Sequence, residues 1–204
     1  MISLTTASKS LLIASVLGTG AMGAAYAADL SAVPSGAYEV DPTHAYINFQ
    51  YNHLGLSTPT LSFDDFSVDL NLDADDPTQS TIAVAVDVAS VVSGSEIWTD
   101  HLTSEDWFNV AAHPQMTFES TSIEGAGDGA YQVAGNLTIK DVTQPVTLAV
   151  TINGAMNHPM SGDPVIGLDA SGSVLRSDFG MGKAAPAVSD EVQLNISVEM
   201  KKVK

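Results

Sequence analysis

Hydrophobic and polar residues alternate along most of this chain. Between His44 and Leu54, residues Ala45, Ile47, Phe49, Tyr51 and His53 share one parity, and the polar partners share the other. Side chains alternate faces along a strand, so this run predicts a half-buried antiparallel strand with an apolar inner face. At ~3.3 Å per residue it would span on the order of 35 Å, longer than most strands. Such a strand either bends round a barrel or runs its full height. Leu61 and Phe63 share one parity, whereas Phe66, Val68, Leu70 and Leu72 share the opposite one, which places a bulge at Asp64-Asp65. Ile82, Val84, Val86 and Val88 form a third run. Met116 and Phe118 begin the next, followed by Tyr131 to Ile139, Val146 to Ile152, the glycine-interrupted Val165 to Leu175, and Val192 to Met200.

The period of two fails between Gly94 and Val110. Ser95 is placed to cap a helical turn carrying Trp98 and Leu102. Thr103 or Ser104 is placed to cap a second, carrying Trp107 and Phe108. His113-Pro114 ends the segment, because proline steers its predecessor out of helical geometry. This stretch predicts a helical lid holding both tryptophans. The remaining connections are turn-like: Asp73 to Pro77, Gly125 to Gly129, Lys140 to Gln144, Asn153 to Pro164 and Arg176 to Ser189. The pattern is all-β: an eight-stranded antiparallel barrel with a short helical insertion after the third strand. Closure removes both exposed edges, and at eight strands the interior is either filled or holds one apolar ligand.

Composition refines this. Residues 1–27 stand apart: Lys9 precedes an apolar run, Leu11 to Met22, that ends at the small-x-small site Ala25-Tyr26-Ala27. This is the layout of a secretory signal peptide cleaved after Ala27, with export to a periplasm-type compartment. The run is shorter than the ~20 apolar residues that span a bilayer, so no stable membrane insertion is expected. Residues 28–204 then form a single domain. With no cysteine, that domain rests on its core alone. A formal charge of -17 argues against nucleic acid, since phosphate contacts need a basic face.

Catalytic and metal-binding signals are sparse. No serine stands in a G-x-S-x-G elbow, and Gly125 to Gly129 joins two strands rather than a strand and a helix, unlike a phosphate loop. His44 and His53 are an odd number of residues apart and face opposite sides of a regular strand. His101, His113 and His158 are scattered through the lid and loops. No metal site is expected from them. Arg176, the only arginine, reads as a salt bridge with Asp178 or another acid; the functional alternative is an anion clamp at a cavity mouth.

Five stretches in order, HAYINFQYNHLGLS, DHL at Asp100 to Leu102, SEDWFNVAAHPQMTFEST, GNLTIKDVTQPVTL and RSDFGM, resemble the YceI-like family of exported lipid- or polyisoprenoid-binding proteins. The resemblance covers roughly Tyr38 to Lys201. It implies a lipocalin-like barrel that holds an isoprenoid lipid, of quinone or polyprenyl-phosphate type, in an apolar tunnel without catalysing a reaction. The family commonly carries an Arg-Asp pair just before x-His-Leu; here Trp98 and Thr99 occupy that place. The inner-face residues expected at the ligand are Ile47, Phe49, Tyr51, Phe66, Val84, Val86, Met116, Phe118, Leu148, Val150 and Phe179, with Trp98 in the lid. His53, His101 and Arg176 are the polar groups expected at the mouth, and of the two strand histidines parity selects His53 over His44. No cofactor beyond the lipid is implied, and a homodimer stays open. Two alternatives stand beside this reading. One is a metal- or haem-associated exported protein using the histidines. The other is a stress-related structural or interaction barrel with a filled core, which would lack a cavity of about 300 Å³ or more.

Overall fold

A computed structural model describes residues 29–204. The expected signal peptide, and Ala28 at the expected start of the mature domain, lie outside the described residues. Ten strands follow one another: β1 (Gly36–Gln50), β2 (Thr60–Phe63), β3 (Phe66–Leu72), β4 (Thr81–Asp87), β5 (Val91–Val92), β6 (Gln115–Gly127), β7 (Ala130–Ile139), β8 (Val142–Asn157), β9 (Pro164–Leu175) and β10 (Glu191–Lys202). Helix α1 (Glu96–Thr103) follows β5. The sheet runs β10-β9-β8-β7-β6-β4-β3-β1, and β1 pairs back onto β10. Eight antiparallel positions therefore close a barrel. Strands β2 and β3 share one of them: β2 pairs with Ile47 to Gln50 of β1 and β3 with Gly36 to Glu39. The break between them is Asp64-Asp65, where the parity shift marks it. Strand β5 adds only a two-residue extension on β2.

Strand β1 begins eight residues before the alternating run that starts at His44. Val40 pairs with Met200 and Ala45 with Val198, so Asp41 to His44 bulge out of register. The bulge reverses parity: Tyr38 faces inward before it, and Ile47 and Phe49 after it. Bulges of this kind re-aim a strand, and here they bend β1 round the barrel. Other connections are tighter than composition implies. Strand β6 continues to Gly127, leaving only Asp128 (φ 51°) and Gly129 (φ 75°) for the hairpin. Both stand in the left-handed region, as a two-residue turn of the Asp-Gly type requires. Between β7 and β8 the turn is Lys140-Asp141 alone, with Lys140 at φ 57°.

Three apolar clusters fill the lumen in sequence along its length. One, towards α1, contains Ile47, Phe49, Phe63, Leu102, Phe108 and Phe179. One at the opposite end contains Tyr38, Leu70, Leu72, Ile152, Ile166 and Met200. A smaller one joins them: Phe118, Ile123, Val133, Leu148 and Val150. Each buried Leu, Ile or Phe contributes about 1.5–3 kcal/mol relative to exposure, which lets the barrel dispense with disulfides.

The lid is helical only in its first half. The Ser95 hydroxyl caps α1 by accepting from the Trp98 N–H at 3.4 Å. Ser104, expected to start a second helical turn, instead ends the first, its N–H donating to the His101 carbonyl at 3.2 Å. The chain then returns through turns in which the Phe108 N–H donates to the Leu102 carbonyl at 3.0 Å. Those turns swing Trp107 and Phe108 back beneath the helix.

Candidate functional site

A cavity of about 170 Å³ occupies the α1 end of the barrel. Its wall is built strand by strand from the residues that alternation turns inward: Ile47, Phe49 and Tyr51 on and just beyond β1, Val84 and Val86 on β4, Met116 and Phe118 on β6, Leu137 and Ile139 on β7, Val146 and Leu148 on β8, Val174 on β9, and Val192, Leu194 and Ile196 on β10. The roof is Trp98, Leu102, Trp107 and Phe108 from the lid, with Phe179, Met181 and Val188 from the loop before β10. Phe63 stacks on Phe49 at 5.2 Å between centroids and meets Phe108 edge-on at 5.9 Å, which ties strand to lid. Trp98 meets Trp107 edge-on at 5.9 Å.

Apart from Thr117 on β6, polarity inside this space is confined to a few groups near the roof. Arg176 is 5% exposed and lies with its guanidinium 5.5 Å from the centre of the Trp107 ring. Its Nε donates to the Ser189 carbonyl at 2.9 Å and its Nη2 to Val188 at 2.8 Å. Its Nη1 donates to Lys183 at 2.7 Å and also to Met181. Four of the five N–H donors of a guanidinium are thus taken by backbone carbonyls of one loop. The expected salt bridge to Asp178 does not form, and an anion clamp is left one free N–H at most. The reason is local: residues 176–190 leave the sheet, and their carbonyls need donors that no strand supplies. The Tyr51 phenol faces Trp98 and Arg176. Burial pushes its pKa up, and the neighbouring Trp98 indole and the Arg176 charge offset this only in part. Tyr51 therefore stays a neutral hydroxyl at physiological pH, able to donate or accept.

Of the residues expected at a ligand, Ile47, Phe49, Tyr51, Val84, Val86, Trp98, Met116, Phe118, Leu148, Arg176 and Phe179 are brought together in this one space. Four are not. His53 lies outside it, exposed, because β1 ends at Gln50 and the chain turns away through Leu54 (φ 59°) and Gly55 (φ 71°). Parity carries one residue past the strand, to Tyr51, and is lost where the chain turns. His101 is exposed on the outer face of α1, its ring 5.8 Å from Trp98. Phe66 is half-buried, packed between the two end clusters rather than against open space. Val150 points inward one level too deep and lines a smaller void. His44 faces out, beside Asp41 and Glu199. Among the described residues no group of three or more His, Asp or Glu is placed to hold a metal.

Among the lining residues that sequence reasoning missed are Phe63, Trp107, Leu137, Ile139, Val146, Met181, Val192, Leu194 and Ile196. Alternation on β7, β8 and β10 marks most of them, whereas Met181 carries no signal.

A model of the YceI-like domain matches residues 38–200. This chain belongs to the YceI-like family. A UPF0312 protein of Azotobacter vinelandii is 36% identical over 195 residues, spanning 94% of this chain and 97% of that protein. The YceI-like barrel also superposes on solved structures. BcnA of Burkholderia cenocepacia aligns with a TM-score of 0.71 at 29% identity, over 78% of this chain and 98% of BcnA. A polyisoprenoid binding domain from Saccharophagus degradans, implicated in plant cell wall breakdown, aligns with a TM-score of 0.62 at 14% identity, over 81% and 98% of the two chains. At that identity the likeness is one of fold.

Proposed function

We propose that this YceI-like protein is a non-enzymatic carrier or store of an isoprenoid lipid, exported to a periplasm-type compartment. The observation that carries the reading is the cavity itself: an interior space whose walls are almost wholly aliphatic and aromatic, with most of its few polar groups gathered beneath the lid. An apolar chain gains about 25 cal/mol per Å² on entering such a space, without a charge or a metal. A polar head left at the roof would meet the Tyr51 hydroxyl and the remaining Arg176 N–H. Trp98 and Thr99, where the family commonly has an Arg-Asp pair, supply no charge: Trp98 packs on Trp107 and the Thr99 hydroxyl bonds Ser93 at 2.9 Å. The head is therefore better matched by a quinone or alcohol than by a phosphate, which would want a free cation. The Saccharophagus neighbour is described as binding polyisoprenoid, in keeping with this ligand class.

The cavity volume favours a second reading. At about 170 Å³ it is smaller than the ~300 Å³ at which pockets for small molecules commonly begin. It is nevertheless larger than the ~150 Å³ apolar cavity that accepts benzene. A structural barrel with a nearly filled core has the same outline. Organic extraction of the purified protein, followed by mass spectrometry and by loading with geranylgeraniol and a short-chain quinone, separates the two. Stoichiometric lipid supports the carrier. A protein that neither retains nor takes up either compound is the filled-core barrel.

A further inference from the structure

The floor of the cavity is thin. Beyond it lies a second apolar void of about 30 Å³. On β4, Val84 lines the cavity and Ile82, the next inward residue, lines the void. On β8 the same step leads from Leu148 to Val150. Successive inward residues stand about 7 Å apart along a strand, so one layer of side chains separates the two spaces. Phe118 and Leu148 belong to that layer, and they share a core cluster with Ile123, Val133 and Val150 of the void.

Both side chains rest in recesses that glycine creates. A Cβ on Gly135 would collide with the Phe118 ring, and one on Gly172 would lie 2.8 Å from Leu148 Cδ2. Neither glycine has a positive φ, so backbone conformation does not require it. Gly135 also lets the Glu119 carbonyl of β6 approach closely, and both glycines leave space on the inner wall.

We propose that Phe118 and Leu148 form an adjustable floor that sets how long a chain the barrel accepts. Leaning on Gly135 and Gly172, they end the cavity at the height seen here. Turned aside, they join it to the void below and lengthen the space open to a chain. The inference rests on the lipid-carrying reading and adds a length-determining pair to it.

The test is competitive loading. Wild type, Phe118→Ala, Leu148→Ala and Phe118→Trp are each offered farnesol, geranylgeraniol and a longer polyprenol in equal amounts, and the bound fraction is extracted and weighed by mass spectrometry. The two truncations should shift selection towards the longer chains by about tenfold, as expected for burying roughly two more methylene groups. Phe118→Trp should shift it towards farnesol. Phe118→Leu and Leu148→Val carry the same expectation in smaller measure should the alanine variants not fold. A wild type that loads, with selection unchanged in every folded variant, overturns the floor while leaving the carrier. A wild type that takes up none of the three overturns the carrier and the floor with it.

Discussion

At the scale of single residues, Arg176 shows how a lone charged side chain is put to structural use. Its donors satisfy carbonyls of Met181, Lys183, Val188 and Ser189, which together hold the loop that roofs the cavity. Removing it leaves those carbonyls without partners inside the fold. Arg176→Met should therefore destabilise the protein by about 3 kcal/mol, read as a lower urea midpoint. Arg176→Lys should recover little, since one ammonium cannot reach four carbonyls arranged for a planar fork. The same loop carries a pH dependence. The Ser177 hydroxyl donates to Asp190 at 2.6 Å and the Ser177 N–H at 2.9 Å, and they hold the carboxyl below its usual 3.8. A group with a depressed folded-state pKa binds its proton more readily when unfolded. Its stabilisation is thus complete above 3.8 and fades as pH falls through the folded value. Asp29, Asp41 and Asp106 are shifted in the same direction by their own hydrogen bonds. Urea midpoints measured down the acid limb should fall for wild type, and fall less steeply for Asp190→Asn.

At the scale of elements, the lid roofs the cavity, and its anchoring is light. Helix α1 has eight residues, too few to be stable alone in water. It is held by the Ser95 cap, by Leu102 and by the Trp98–Trp107 contact. Ser95→Ala should cost the helix about 1 kcal/mol. Because Ser95 does not line the cavity, loading should be faster by roughly fivefold with affinity nearly unchanged, as followed by tryptophan fluorescence during uptake of geranylgeraniol. An equal loss in affinity would mean that the helix shapes the bound state rather than gating access.

At the scale of the whole molecule, closure of β1 on β10 gives the barrel its rigidity and leaves the interior as the place where stability and binding trade. Open space under the lid forfeits dispersion contacts that a filled core would make. A ligand should return them. At a free concentration of one hundred times its Kd, a binder adds about 2.7 kcal/mol, which for a domain of this size raises Tm by roughly 5–10 °C. Calorimetry with and without geranylgeraniol checks this. A filled-core barrel would show no shift.

Much of this architecture is written in period-two alternation. Inward rows such as Ile47-Phe49, Val84-Val86 and Val192-Leu194-Ile196 are legible because a closed barrel has only two faces, and each residue must take one. The Ser95 cap and the Asp64-Asp65 break are legible for similarly local reasons. What alternation could not supply is where a strand stops, how deep an inward residue sits and what a polar side chain finds as partner. His53 continues an inward parity past the end of its strand; Val150 obeys the parity yet lies below the floor; Arg176 finds carbonyls of the loop that follows it instead of a nearby acid. Local sequence determined which face each strand residue takes, because pleating acts between neighbours. The height of the cavity and its floor were decided only by tertiary structure, because they depend on register between strands far apart in the chain.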